Sequence, residues 1–245
     1  MIEQTVDIPT KAGATTTFIA HPERDGAHPV VLFFMDAPAI REELRDMARR
    51  IATAGYYVML PNLYYRSGVM ELGDLPKLPE AESRARMFEL MGSLSIPLVM
   101  DDGDALLEFA DRDPAASKGK IATVGYCMSG QYAISFAARY PNRVGAAASI
   151  YGVQLVTDKA DSPHLAAQKA KAELYFACAE TDHWAPLEMV QALDQSMKAN
   201  NINAEVELYK GVEHGFAFPQ RAAYDKPAAE RHWERLFALW RRRLA

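Results

Sequence analysis

Strand patterns alternate with helix patterns along most of this chain, and that alternation constrains the fold more than any other feature. Residues 30–35 (VVLFFM) form a continuous apolar run with β-branched and aromatic members, the pattern of a strand buried on both faces. From 41 to 54, Leu44, Met47, Ala48 and Ile51 recur at helical spacing among charges, and Gly55 stands where a helix-ending glycine belongs. A second buried strand is expected at 56–60, stopped by Pro61, with others at 121–126, 144–151, 172–178 and 204–210. Helices are expected at 81–91, 97–110, 129–140, 186–200 and 228–243. Alternation at these lengths means βαβ units, hence an α/β protein with a mainly parallel central sheet and helices on both faces. Ahead of it, QTVDI and TTTFIA, split by Lys11-Ala12-Gly13, predict a β-hairpin. Residues 61–79, rich in Pro and Gly, suit a loop over a site. No repeat or linker divides the sequence, so one domain over residues 1–245 is expected.

Trp233, Leu236, Phe237, Trp240 and Leu244 fall on one side of the last helix, a stripe expected to pack in the core. Arg241, Arg242 and Arg243 read as a solvated helix end that complements the dipole, not as a nucleic-acid patch. Lys and Arg total 27 against 32 Asp and Glu, a net charge of −5, which argues against a protein built to track phosphate backbones or anionic membranes. The expected partner is a small molecule, with no nucleic acid and no membrane, and the chain is expected as a monomer or homodimer. Two cysteines, Cys127 and Cys178, cannot make a disulfide framework, and no His or Cys spacing suggests a metal cage. The first residues carry charges and threonines where a signal peptide needs an apolar stretch, so a cytoplasmic protein is expected.

The most informative six residues are Gly125-Tyr126-Cys127-Met128-Ser129-Gly130, between an apolar strand and an amphipathic helix. A nucleophile elbow requires that context, because the nucleophile sits on a strained turn whose neighbours two before and two after must be small. Gly125 and Ser129 meet the requirement. The turn also aims the Met128 amide and the positive helix end at charge forming on a substrate. Taken alone, Cys127 could instead be a buried structural thiol, the less favoured reading. Two later residues weigh against this. Asp182 follows the strand expected to end at Cys178, and His214 follows the one expected to end at Lys210. All three thus sit at the C-terminal edge of the sheet, where open α/β sheets bind ligands. Nucleophile, acid and histidine come in the chain order of α/β-hydrolases. In the corresponding roles Cys127 attacks a carbonyl carbon, His214 manages the proton, and Asp182 fixes the imidazole. His183 is a rival base, but beside Asp182 on a short loop it should point elsewhere.

With these residues in place, the chain resembles the dienelactone hydrolase (carboxymethylenebutenolidase) family over most of its length. The resemblance is carried by Leu60-Pro61-Asn62-Leu63-Tyr64, Gly125-Tyr126-Cys127, Tyr151-Gly152-Val153, Asp182-His183 and Gly211 to Phe216, in the family's order. It implies an α/β-hydrolase domain, no metal or organic cofactor, and hydrolysis of an enol-lactone through an acyl-cysteine. It also implies an acidic residue after the first core strand that interacts with the resting thiol. Asp36 occupies that place, one methylene shorter than the family's usual Glu, and Asp36 could equally just open the following loop. By the same resemblance the amide of Ala37 is the second oxyanion donor beside Met128.

Substrate recognition departs from the family. Dienelactone-active members carry an arginine a few residues after the catalytic histidine, whereas here Ala217 and Phe218 follow Gly215-Phe216. A second family arginine, after the proline-rich loop, matches Arg84 or Arg86, either of which could instead be a solvated helix charge. Tyr64, Tyr151, Trp184 and Phe216 are candidates to line the pocket, with ordinary core packing as the alternative. The expected ligand is therefore less anionic than dienelactone, or differently oriented. Two other functions stay open, a thioesterase or carboxylesterase on the same scaffold and a ligand-binding receptor without turnover, because fold does not dictate function.

Overall fold

The computed structural model describes residues 1–69 and 80–244. These gather into two compact units, Met1–Lys118 and Gly119–Ala245. The loop expected at 61–79 is described as far as residue 69, and its remainder lies outside the described residues.

In the first unit, β1 (Ile2–Thr10) and β2 (Gly13–His21) make the expected hairpin, in register from Ile2 opposite His21 to Thr10 opposite Gly13. β3 (Val30–Phe34) pairs in parallel with β4 (Tyr57–Pro61), which in turn pairs antiparallel with β2. Every residue of β3 and β4 is buried, which is why both read as unbroken apolar runs. Pro61 ends β4 from within it, since a last strand residue need not donate to the ladder. Helix α1 (Glu42–Thr53) buries Leu44, Met47, Ala48 and Ile51, and Gly55 follows at φ 105°. α2 (Glu80–Gly92) and α3 (Ile96–Arg112) come next. Ser95 caps α3 by accepting from the Leu98 amide at 3.4 Å. Asp102 of α3 is buried and satisfied by the Tyr65 hydroxyl and a two-pronged Arg66.

The second unit is a parallel βα array. β5 (Ile121–Tyr126), β6 (Val144–Ile150), β7 (Glu173–Thr181) and β8 (Ala204–Glu213) lie side by side in that order, each neighbouring pair parallel. α4 (Gly130–Arg139) packs on β5 and β6, α6 (Leu187–Ala199) on β7 and β8, and α7 (Lys226–Arg243) on β6 and β7. A single-turn helix, α5 (Pro163–Ala166), fell below what periodicity reveals. Asp225 caps α7 by accepting from the Ala228 amide at 2.9 Å. The stripe on α7 is core as expected at Trp233, Leu236, Trp240 and Leu244, while Phe237 is half-buried and stacks on Trp233. The arginine end is not simply solvated. Arg242 and Arg243 both bind Glu173, because β7 begins beside the end of α7. Strands β7 and β8 each run three residues beyond the expected ends, so Asp182 and His214 directly follow their strands. Among the described residues no helix is long and apolar enough to cross a membrane.

Candidate active site

The elbow follows from where the chain has no room. At Gly125 an added Cβ would lie 2.0 Å from the Ser129 carbonyl oxygen, and at Gly130 it would lie 2.2 Å from Ser149 Oγ and 2.6 Å from Gly152 Cα. Only hydrogen fits at either place. Between them, Cys127 adopts φ 54°, a left-handed conformation that costs a side-chain-bearing residue about 1–2 kcal/mol. The chain then makes one 3-10 turn, Cys127–Ser129, into α4, with Met128 and Ser129 buried and Cys127 half-buried at the carboxyl end of β5. Behind it, the Val153 amide donates to the Cys127 carbonyl at 3.2 Å and the Gln131 side chain donates to the Met128 carbonyl at 2.9 Å.

The ends of β7 and β8 supply the other two residues. Thr181 lies opposite Glu213 in the ladder, and the His214 amide donates to the Thr181 carbonyl at 3.3 Å. The next residues, Asp182 and His214, are thereby placed side by side. His214 Nδ1 donates to Asp182 Oδ2 at 2.7 Å. Asp182 Oδ1 accepts from the amides of Trp184 at 2.8 Å and Ala185 at 3.0 Å, which holds the carboxylate still. With Nδ1 engaged, the other ring nitrogen is the one available to the Cys127 side chain, to which His214 is also hydrogen-bonded. Burial opposes charge on His214, but Asp182 and Cys127 outweigh it and push its pKa up to about 9. His183 is exposed and turned against Trp184 instead. The second cysteine, Cys178, is buried, and burial with Asp182 nearby pushes its thiol up to about 12, the opposite of what a nucleophile needs.

A model of the dienelactone hydrolase family matches residues 15–244. The chain belongs to this family. A protein of Synechocystis sp. named "Putative carboxymethylenebutenolidase" is 26% identical over 243 residues, covering 98% of this chain and 96% of that one. One of Escherichia coli K12 with the same name is 28% identical over 235 residues, 94% of this chain and 83% of that one. Among solved structures, a dienelactone hydrolase of Klebsiella pneumoniae, also named as putative, superposes with a TM-score of 0.85 at 24% identity, 98% of each chain being covered. A dienelactone hydrolase-like promiscuous phosphotriesterase from metagenomic libraries gives 0.82 at 18% identity over 100% of this chain and 99% of its own. These likenesses show the fold, that of the α/β-hydrolases.

In this dienelactone hydrolase family hydrolase the remaining expected residues fall as follows. Asp36 is buried, and its two oxygens accept from the Arg41 guanidinium at 2.6 and 3.2 Å, the same guanidinium that binds buried Glu43. Ala37 is buried, and its carbonyl accepts from the Tyr64 hydroxyl at 2.9 Å. Arg84 is exposed on α2, and Arg86 is paired with Glu89 at 2.6 Å. Tyr64, Tyr151 and Phe216 are fully buried, whereas Trp184 is exposed. One further neighbour of the loop after β8 was not singled out in the sequence. Arg221, seven positions after His214, folds back so that its Cγ lies 3.9 Å from where a Cβ on Gly215 would stand, its guanidinium over Phe218. Successive turns, from Phe216 to Glu213, Phe218 to Gly215 and Arg221 to Phe218, shorten the span, and spacing alone does not signal them.

Proposed function

We propose that this hydrolase cleaves enol-lactones or comparably activated esters through an acyl-cysteine on Cys127. The observation that carries the proposal is the continuous hydrogen-bonded line Asp182–His214–Cys127 above a strained turn. A general base must reach the proton it moves, and the hydrogen bond between His214 and the Cys127 side chain supports that role. In the first half-reaction the proton of Cys127 resides on His214 while the sulfur attacks the substrate carbonyl carbon. The Met128 amide, at the amino end of the elbow helix, faces the oxyanion that forms. Collapse of the tetrahedral intermediate breaks the carbon–oxygen bond of the leaving group, and His214 returns the proton to that oxygen. In the second half-reaction His214 takes a proton from water as the water attacks the thioester, and returns it to the departing sulfur. Asp182 stays ionised and stabilises the imidazolium in both.

The thiol narrows the substrate. A tetrahedral intermediate expels the weaker base, and a thiol has a pKa of about 8.5 against about 15.7 for water, which stands in for a simple alcohol. Alkyl esters should therefore revert by expelling sulfur, whereas enol and aryl oxygens leave. Substrates with matched acyl groups and either enol or alkyl leaving groups test this, alongside mass spectrometry of the protein mixed with an aryl ester. Faster cleavage of the enol ester and a transient acyl adduct on Cys127 are expected. Equal rates, or full activity in Cys127→Ala, would overturn the proposal.

A further inference from the structure

Tyr151 follows β6 with φ 37°, a left-handed conformation that a bulky aromatic residue rarely takes and that costs about 1–3 kcal/mol. The surroundings fix it there. Its amide donates to the Ala177 carbonyl of β7 at 2.6 Å, and the next residue, Gly152, is pressed against Gly130 and Ser149 so closely that a Cβ would stand 2.0 Å from Ser149 Oγ. The residue after that, Val153, donates to the carbonyl of Cys127. The ring of Tyr151 lies 4.9 Å from that of His214, tilted by 59°, and is itself braced by Phe216 at 5.2 Å, Tyr126 at 5.9 Å and Phe218 at 6.0 Å. Tyr126 is fixed in turn from α7, its hydroxyl 3.0 Å from Nε2 of the wholly buried His232. Within three consecutive residues, Tyr151 meets the base's ring, Gly152 packs on Gly130 of the elbow and Val153 binds the nucleophile's carbonyl, and a strained residue in that position needs a compensating role.

We propose that Tyr151 is a positioning residue that holds the His214 imidazole and favours its protonated form. This rests on the acyl-cysteine proposal. An aromatic ring within about 6 Å of a cation attracts it through the ring quadrupole by roughly 0.5–2 kcal/mol. Among the described residues, Asp182 and Cys127 are the groups that raise the His214 pKa by favouring imidazolium, and the Tyr151 ring acts in the same direction. Tyr151 therefore stabilises the charged pair in which the proton of Cys127 has moved to His214, the state from which sulfur attacks. It gives and takes no proton itself.

The test is the titration midpoint of His214, followed by NMR of histidine-labelled protein with the resonance assigned from His214→Gln. Tyr151→Phe keeps the ring and should keep the midpoint. Tyr151→Leu should lower it by about 0.4–1.5 pH units. Because a leucine can disturb packing, a second variant carries 3,4,5-trifluorophenylalanine at 151, which weakens the ring quadrupole at nearly constant shape. Its midpoint should also fall, and the pH profile of Cys127 alkylation by iodoacetamide should move with it. An unchanged midpoint in the fluorinated protein would overturn the proposal whether or not the leucine variant folds. Failure of the acyl-cysteine proposal registers separately, as turnover that survives Cys127→Ala, while the NMR midpoint still decides the role of Tyr151.

Discussion

Asp182→Asn separates charge and tautomer from bulk, and its outcome follows from the hydrogen bonds around one carboxylate. Oδ1 accepts from two backbone amides and Oδ2 from His214 Nδ1. In asparagine one of these atoms becomes an NH2 group. Placing it at Oδ1 sets donors against the amides of Trp184 and Ala185 and loses two hydrogen bonds, at about 1–3 kcal/mol for the buried Ala185 amide alone. The oxygen therefore stays with the amides, and the NH2 faces His214 Nδ1. Two donors cannot share that contact, so the imidazole moves its proton to the other nitrogen and presents N–H, not a lone pair, to Cys127. The base is then in the wrong tautomer, and the imidazolium has lost its counter-charge. By analogy with serine triads kcat/KM should fall by about 10³–10⁴-fold, equivalent to roughly 4–5.5 kcal/mol of barrier. The assay is steady-state hydrolysis of an aryl ester, with thermal unfolding confirming that the variant folds. His214 should also titrate below its parent value of about 9. Activity within tenfold of the parent, or an unmoved His214 midpoint, would refute the assigned role of Asp182.

Arg41→Leu removes the guanidinium that binds buried Asp36 and Glu43, which should cost on the order of 3–5 kcal/mol. That lowers the thermal midpoint by roughly 10 °C for a chain of this size, and a midpoint within a degree or two of the parent would count against it. Gly125→Ala places a Cβ 2.0 Å from the Ser129 carbonyl, so the elbow must open, at a cost of about 1–3 kcal/mol or more. Loss of Cys127 alkylation at neutral pH should accompany the loss of stability. His214 has a pKa raised from 6.5 to about 9 in the folded protein, so its contribution to stability is complete below pH 6.5 and disappears as pH rises through 9. The denaturant midpoint should decline across that window by up to an amount on the order of 3 kcal/mol. His214→Gln should flatten the decline, and an equal slope in both proteins would show that the stabilisation lies elsewhere.

The strands and long helices were legible because each carries its own burial pattern. β3 and β4 are apolar at every position, and α1 repeats Leu44, Met47, Ala48 and Ile51 on its inner face. The ends of β7 and β8 were less so. Glu180, Thr181, Gly211 and Glu213 look like loop residues because they are half-buried or exposed, yet the strands run through them and Thr181 still pairs with Glu213 beyond an irregularity in the ladder. Cys127, Asp182 and His214 could be named from motif and order, but their convergence depends on the register of Thr181 with Glu213, which no local pattern encodes. Tyr64, Tyr151 and Phe216 stand in motif positions that suggest a pocket wall, and all three are buried, Tyr64 bonded to the Ala37 carbonyl, Tyr151 against the His214 ring and Phe216 stacked on Tyr209. The partner of Asp36 was invisible for another reason. Arg41 lies five residues on across a non-helical turn, where no periodic rule pairs side chains.

Strain and close packing are divided between different residue types around the elbow. The glycines at 125, 130 and 152 all adopt ordinary backbone angles, and what they supply is the missing Cβ. The positive φ angles fall on Cys127, Tyr151 and Gln154, which carry side chains. A turn designed only for stability would reverse this and put glycine where φ is positive, since glycine pays no steric penalty there. At Cys127 and Tyr151 the side chain is what the proposed site needs, so it bears the strain while adjacent glycines let three backbone segments come close enough to keep it from relaxing. On these grounds Gln154→Gly, whose φ is 55°, should raise stability. The same change at Cys127 or Tyr151 would exchange that strain for loss of the sulfur or of the ring beside His214. A Gln154→Gly variant less stable than the parent would show that the segment after β6 is held by its side chains, not strained against them.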